Sequence, residues 1–154
     1  MIPDTARYHG SFFVSLLDQI QSPVSLQKIP NLGSGYYLLD NRIPICLKLS
    51  TRRQGPWTFN FSRTHQKNQE NLFQEYGEFF ICLICGKDGV VGLSMRELRK
   101  VLDDHFEEQE CVSVRRRLRA MYQITGKDGV LENRVSRKSI FNKIQKAITK
   151  DGEE

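Results

Sequence analysis

The chain has 154 residues, 39% of them hydrophobic and 27% charged, which is enough for one soluble domain with its own core. No apolar run reaches the roughly 20 residues of a bilayer span, and no basic stretch leads into a long apolar one at the start, so the expected setting is cytoplasmic with no membrane partner. A net charge of +5 favours a polyanionic partner over a cationic one and says nothing about fold.

Residues 1 to 10 read as an extended lead-in, because Pro3 discourages an early helix. Phe12, Phe13, Leu16, Leu17 and Ile20 then recur at helical spacing. An amphipathic helix is expected over Ser11 to Gln21, with Ser11 as N-cap and Pro23 as its stop. Leu26, Ile29 and Leu32, interrupted by Pro30 and Gly33-Ser34-Gly35, suggest a loop. Tyr36 to Leu39 and Ile43 to Ser50 are apolar strands on either side of Asp40-Asn41-Arg42, residues that suit a turn, so a hairpin is expected. Trp57 to Phe61 adds a third strand to this central unit.

Ser62 caps an expected helix from Arg63 to about Tyr76, which Gly77 ends. Phe79 to Cys85 is uninterrupted apolar sequence of strand length, the pattern of a strand covered on both faces. Gly86-Lys87-Asp88-Gly89 turns it onto Val90 to Leu93. Ser94 and Glu97 have capping-box spacing at the head of a helix over Met95 to Phe106. Val112 to Val114 and Leu118 to Ile124 read as strands, followed by a second Gly-Lys-Asp-Gly turn at Gly126 to Gly129. The two turns are not a repeat, since their surroundings differ. From about Ser136, a final helix carries Ile140, Phe141, Ile144 and Ile148 on one stripe. Helices interleaved with strands predict an α/β domain over residues 1–154, a mixed central sheet flanked by helices, with ends fraying at about 1–7 and 150–154.

Several side chains stand out chemically. Lys48 interrupts an apolar strand: between Leu47 and Leu49 it is expected on an open face, or else at the rim of a site. Cys46, Cys82 and Cys85 sit in apolar strand-like runs and read, with Cys111, as buried small residues. The C-x-x-C of Cys82 and Cys85 sends its thiols to opposite faces of one strand, which argues for core and against zinc. Trp57, Phe59 and Phe61 share a face. At its end Trp57 would stack on a base or sugar, should it lie exposed beside Arg52 and Arg53 as they hold phosphates. Arg115, Arg117 and Arg119 share a strand face opposite Arg116 and either grip phosphates or pair with the acids of residues 103 to 110. His65 lies at a helix start, either on the surface or on the rim that carries Lys48 and able to move protons there. His105, beside Asp103 and Asp104, reads as part of a helix-surface ion cluster. No Ser-His-Asp spacing, Walker loop or dinucleotide fingerprint occurs.

The succession of helix, hairpin, polar turn, aromatic strand, helix and very apolar strand resembles the PD-(D/E)XK restriction-endonuclease-like superfamily over roughly residues 8 to 95. Ile45-Cys46-Leu47-Lys48-Leu49-Ser50-Thr51 lines up with its apolar-acid-x-Lys-x-Ser/Thr strand, and Lys48 matches the lysine. The resemblance implies a DNA-directed phosphodiesterase in which carboxylates hold Mg²⁺ and the lysine stabilises the nucleophile or the developing phosphorane. Cys46 stands where an acid belongs, and the second acid falls near Tyr36 or Tyr37. Asp40 is then the nearest carboxylate for catalysis and for the metal, with Asp18 and Glu70 as more distant sources. Whole-chain segments, namely Lys-x-Ser, Pro-Trp-x-Phe-x-Phe, Cys-Gly-x-Asp-Gly and the arginine run, are also similar to uncharacterised bacterial proteins, which implies no activity.

Two functions are therefore expected. One is a nuclease-like DNA-directed protein, with Lys48 on the scissile phosphate, Asp40 on Mg²⁺, and Arg52, Arg53, Trp57, His65, Arg115, Arg117 and Arg119 on nucleic acid. The other is an inactive nucleic-acid-binding or interaction module, acting as a homo-oligomer through its complementary acidic and basic segments or as a subunit of a larger defence or mobile-element complex.

Overall fold

Asp40 and Asn41 both take left-handed backbone, φ 56° and 59°, and turn β2 (Tyr36–Leu39) onto β3 (Ile43–Ser50) as an antiparallel hairpin. This hairpin sits inside a five-stranded sheet in a computed structural model that describes residues 1–103, 108–116, 120–136 and 139–152. The strand order is β1-β2-β3-β5-β6, where β1 is Leu26–Lys28, β5 is Phe80–Cys85 and β6 is Gly89–Ser94. Only β3 and β5 run parallel; the other neighbours are antiparallel, so the sheet is mixed. Four helices accompany it among the described residues: α1 (Asp4–Gln19), α2 (Arg63–Tyr76), α3 (Met95–Val101) and α4 (Ser139–Gly152). None of them is long and apolar enough to cross a membrane.

The third strand of the expected central unit belongs elsewhere. β4 (Trp57–Phe61) leaves the hairpin and pairs with β7 (Glu110–Arg115), opening a second, antiparallel sheet completed by β8 (Gln123–Gly126) and β9 (Gly129–Val130). Its partner lies some fifty residues downstream, a pairing that no local pattern announces. Trp57, Phe59 and Phe61 are buried while Thr58 and Asn60 are exposed, so this sheet turns one face to the core and leaves the other polar.

The layers follow from strand alternation. On β3, Ile45 and Leu47 face one cluster, which packs under Phe12, Leu16 and Ile20 of α1 and Ile140, Phe141, Ile144 and Ile148 of α4. Cys46 faces the other, between the two sheets, with Tyr36, Trp57, Phe59, Phe61, Val112 and Leu98. β5 is buried at every position, Cys82 on the helix side and Cys85 on the inter-sheet side.

Local signals fixed several ends. The Ser62 hydroxyl accepts from His65 N, and Gly77 closes α2 in left-handed conformation. Ser94 and Glu97 form the full capping box of α3. Other expectations fail. α1 begins at Asp4, seven residues before Ser11, with Pro3 at its N-cap; a proline there is tolerated because the first N–H groups of a helix lack intrahelical partners anyway. Residues 26–28 form strand, not loop, by pairing with Tyr37–Leu39. α3 ends at Val101, and the remainder of its expected span includes 104–107, outside the described residues. The strand expected over 118–124 begins at Gln123, its earlier part lying partly outside the described residues.

Candidate functional site

Lys48 does not point to open solvent. By parity with Cys46 it projects into the space between the sheets, where its Nζ donates to Asn60 O at 2.8 Å and lies 4.7 Å from the Phe61 ring centre. The His65 Nδ1 stands 3.3 Å from the same amine. An ammonium has only protons to give, so His65 accepts at Nδ1 and carries its own proton on Nε2. Burial pulls the Lys48 amine below its ordinary pKa, with the adjacent Cys46 thiol partly opposing. Burial, then the Lys48 charge, lower His65 in turn. The pair lines a cleft of about 360 Å³ with Ser34, Tyr36, Thr58 and Asn60. No carboxylate lines that cleft, and among the described residues none pairs with Lys48.

Cys46 offers little chemistry here. Burial raises its thiol to about 11, so at neutral pH it is protonated and is no thiolate nucleophile. Tyr36 lies beside Cys46 and Gln69, and burial raises its hydroxyl as well; that oxygen makes no hydrogen bond of good geometry.

Asp40 is not brought to Lys48. It sits in the turn that precedes β3, whereas Lys48 is near the far end of that strand, at least about 15 Å along the chain. Its Oδ2 is 3.1 Å from Arg42 Nη2, and the same nitrogen donates to Ile148 O at 2.7 Å. Asp40 thus orients an arginine that satisfies the C-terminal end of α4. A lone carboxylate already paired to a guanidinium does not fit the Mg²⁺ position implied by the resemblance.

The arginines converge at a different place. Arg53, Arg115, Arg116 and Arg134 line an open cleft of about 700 Å³ with Gln54, Pro56, Trp57, Asp88 and Gln123. Arg116 is committed to the wall: its Nε donates to Asp88 Oδ2 at 2.6 Å, its Nη2 to Asp88 Oδ1, and it lies over the Tyr122 ring. The Tyr122 hydroxyl donates to the same carboxylate at 2.5 Å. Asp88 therefore cancels one of the four guanidinium charges. Arg53, Arg115 and Arg134 are exposed and have no carboxylate partner among the described residues. Three exposed guanidinium groups around one concavity give it a positive lining, and a guanidinium's planar fork is matched in shape to carboxylates and phosphates.

Other expected roles fall out differently. Trp57 is 3% exposed and its indole N–H donates to Arg52 O, so the condition for stacking on a base is not met. Arg52 folds back to donate to Pro56 O. Arg117 and Arg119 lie outside the described residues. The acids at 108 and 110 approach Lys127, not an arginine of β7. Cys111 is exposed, contrary to the core expectation, because it falls on the polar face of its strand. Sequence reasoning missed Arg134, a single arginine in a loop with no pattern around it. Three carboxylates, Asp103, Glu110 and Asp128, gather at the other end of β7 from Arg115. Against protein-family models, curated proteins and solved structures, nothing matches this chain.

Proposed function

We propose that this protein binds nucleic acid, DNA being the expected form, through the cleft lined by Arg53, Arg115 and Arg134, and that its α/β scaffold is restriction-endonuclease-like without that superfamily's carboxylate centre. The observation that carries this reading is the convergence, from three separate segments, of exposed guanidinium groups on one concavity while the neighbouring Arg116 is neutralised by Asp88. The +5 net charge is in keeping with a phosphate-rich partner. A cytoplasmic setting and self-association belong to the same proposal.

Fluorescence anisotropy with a short labelled duplex, at two salt concentrations, tests it. The expected result is binding that weakens steeply with salt, and a log–log slope shallower by about 0.9 for each phosphate no longer neutralised in Arg115→Gln and Arg134→Gln. Absence of binding at low salt, or variants that bind like the parent, overturns it.

A cutting activity has one observation in its favour, a desolvated Lys48 amine and His65 in the same cleft. Plasmid incubated with Mg²⁺ or Mn²⁺ and either the parent or Lys48→Ala decides it. Equal and intact DNA in both ends the phosphodiesterase reading while leaving binding standing.

A further inference from the structure

Asp103 follows the C-terminal end of α3, Glu110 opens β7, and Asp128 sits in the β8–β9 turn, yet each offers a carboxylate oxygen within 4.8 Å of the other two. Glu110 is the unusual member. It shares a strand face with the core residues Val112 and Val114, its side chain is 2% exposed, and its Oε2 is buried with no hydrogen-bond partner. A buried carboxylate gathered with two further carboxylates is a costly arrangement unless a proton or a cation neutralises it. Lys127 supplies little: its Nζ is 3.9 Å from Glu110 Oε1 and is shared with Glu108. Among the described residues, the Arg99 guanidinium pairs with Glu70 and also donates to the backbone carbonyl of Asp103.

The two aspartates are held in place by backbone. Asp128 N donates to Val101 O at 3.0 Å, and Asp128 Oδ2 accepts from Asp103 N at 2.9 Å. A Cβ at Gly126 or Gly129 would collide with the carbonyl oxygens of Val101 and Lys100, so the glycines let the turn lie directly on the end of α3.

We propose that Asp103, Glu110 and Asp128 bind one hard divalent cation. The donors are all carboxylate oxygens, which suit Ca²⁺, Mn²⁺ and Mg²⁺ and discriminate against softer ions. Ligands on opposite sides of a Ca²⁺ ion stand about 4.6–5.2 Å apart, and those of Mg²⁺ about 4.2 Å. Three oxygens 4.8 Å apart stand about 2.8 Å from a common centre, so moving inward by a few tenths of an ångström brings them onto a Ca²⁺ ion, and by less than about 1 Å onto Mg²⁺. The ion would tie the end of α3, the start of β7 and the β8–β9 turn together, a stabilising cross-link independent of the arginine cleft. In keeping with this concentration of negative charge, burial and the two aspartates raise the Glu110 carboxyl to about 7.

The test uses the full chain, stripped with EDTA and then supplied with Ca²⁺, Mn²⁺ or Mg²⁺ separately. Thermal unfolding and calorimetric titration are the readouts. At a hundredfold excess over the dissociation constant, the melting temperature is expected to rise by about 5 °C or more. Glu110→Gln should abolish the shift, Asp128→Asn should weaken binding by about tenfold or more, and Asp40→Asn should leave both unchanged. Should Glu110→Gln fail to fold, Asp103→Asn takes its place with the same expected loss. A parent insensitive to all three ions, a Glu110→Gln that keeps the full shift, or a shift lost in Asp40→Asn instead overturns the assignment.

Discussion

The tetrapeptide Gly-Lys-Asp-Gly occurs twice, and the two copies do opposite electrostatic work. At residues 86–89 it joins β5 to β6 through a three-residue loop, Cys85 pairing with Gly89, with Gly86 at φ 53°. At residues 126–129 it joins β8 to β9 through a two-residue loop, Gly126 pairing with Gly129. A shift of one residue in register sends the aspartates into contrasting company. Asp88 is surrounded by donors from Arg116 and Tyr122, whereas Asp128 faces two carboxylates. The letters specify a turn; the sheets that meet there decide what the carboxylate is for.

That contrast is sharpest at the aspartates themselves. Asp88→Asn should cost about 3 kcal/mol, because it removes the negative partner of an arginine that is 13% exposed and weakens the acceptor of the Tyr122 hydroxyl. Urea unfolding checks this, and a loss below about 1 kcal/mol would remove Asp88 from the structural account of the cleft. Next in size is Gly126→Ala, expected to cost about 2 kcal/mol since the added methyl meets the Val101 carbonyl. Gly10→Ala, where a Cβ meets nothing within 4 Å inside α1, should instead stabilise by about 0.5–1 kcal/mol. Asp128→Asn without added metal should lie within about 0.5 kcal/mol of the parent, on the stable side if like-charge repulsion dominates. A large loss there would make the two turns alike after all.

The smallest effect is at His65. Its folded-state pKa lies below 6.5, so the fold prefers it neutral; that preference is intact above pH 6.5 and is lost as pH falls from 6.5 through the lowered value. NMR titration should place the midpoint below 6.5 in the parent. In Lys48→Met it should move up without reaching 6.5, because burial is the larger cause. An unchanged midpoint would mean that the Lys48 charge does not reach the ring.

Much of this was legible locally. Ser62, Gly77 and the Ser94–Glu97 pair mark helix ends because caps act over three or four residues. Asp40-Asn41 marks a hairpin, and the spacing of Cys82 and Cys85 already separates them into two cores. What escaped was long-range. The parity of β3 correctly sets Lys48 apart from Leu47 and Leu49, but of its two expected settings, an open face or the rim of a site, the open face is taken by a second sheet and α2 while Lys48 lines a cleft. Arg116 and Arg134 acquire their setting only when Arg116, just past β7, reaches Asp88 and Arg134, beyond β9, comes to the cleft that Trp57 lines. Glu110 did carry a signal: in the alternation with Val112 and Val114 it occupies a core-facing position. Read alone as one of a row of surface acids, it lost that meaning.

The second sheet leaves one side uncovered, and Cys111 lies on that side while the other three thiols are buried. A thiol-reactive fluorophore should therefore attach at a single position of the native protein, without mutagenesis, on the strand that also ends in Arg115. Its emission would report directly on anything that settles over this face, which turns an otherwise idle side chain into a built-in gauge of occupancy.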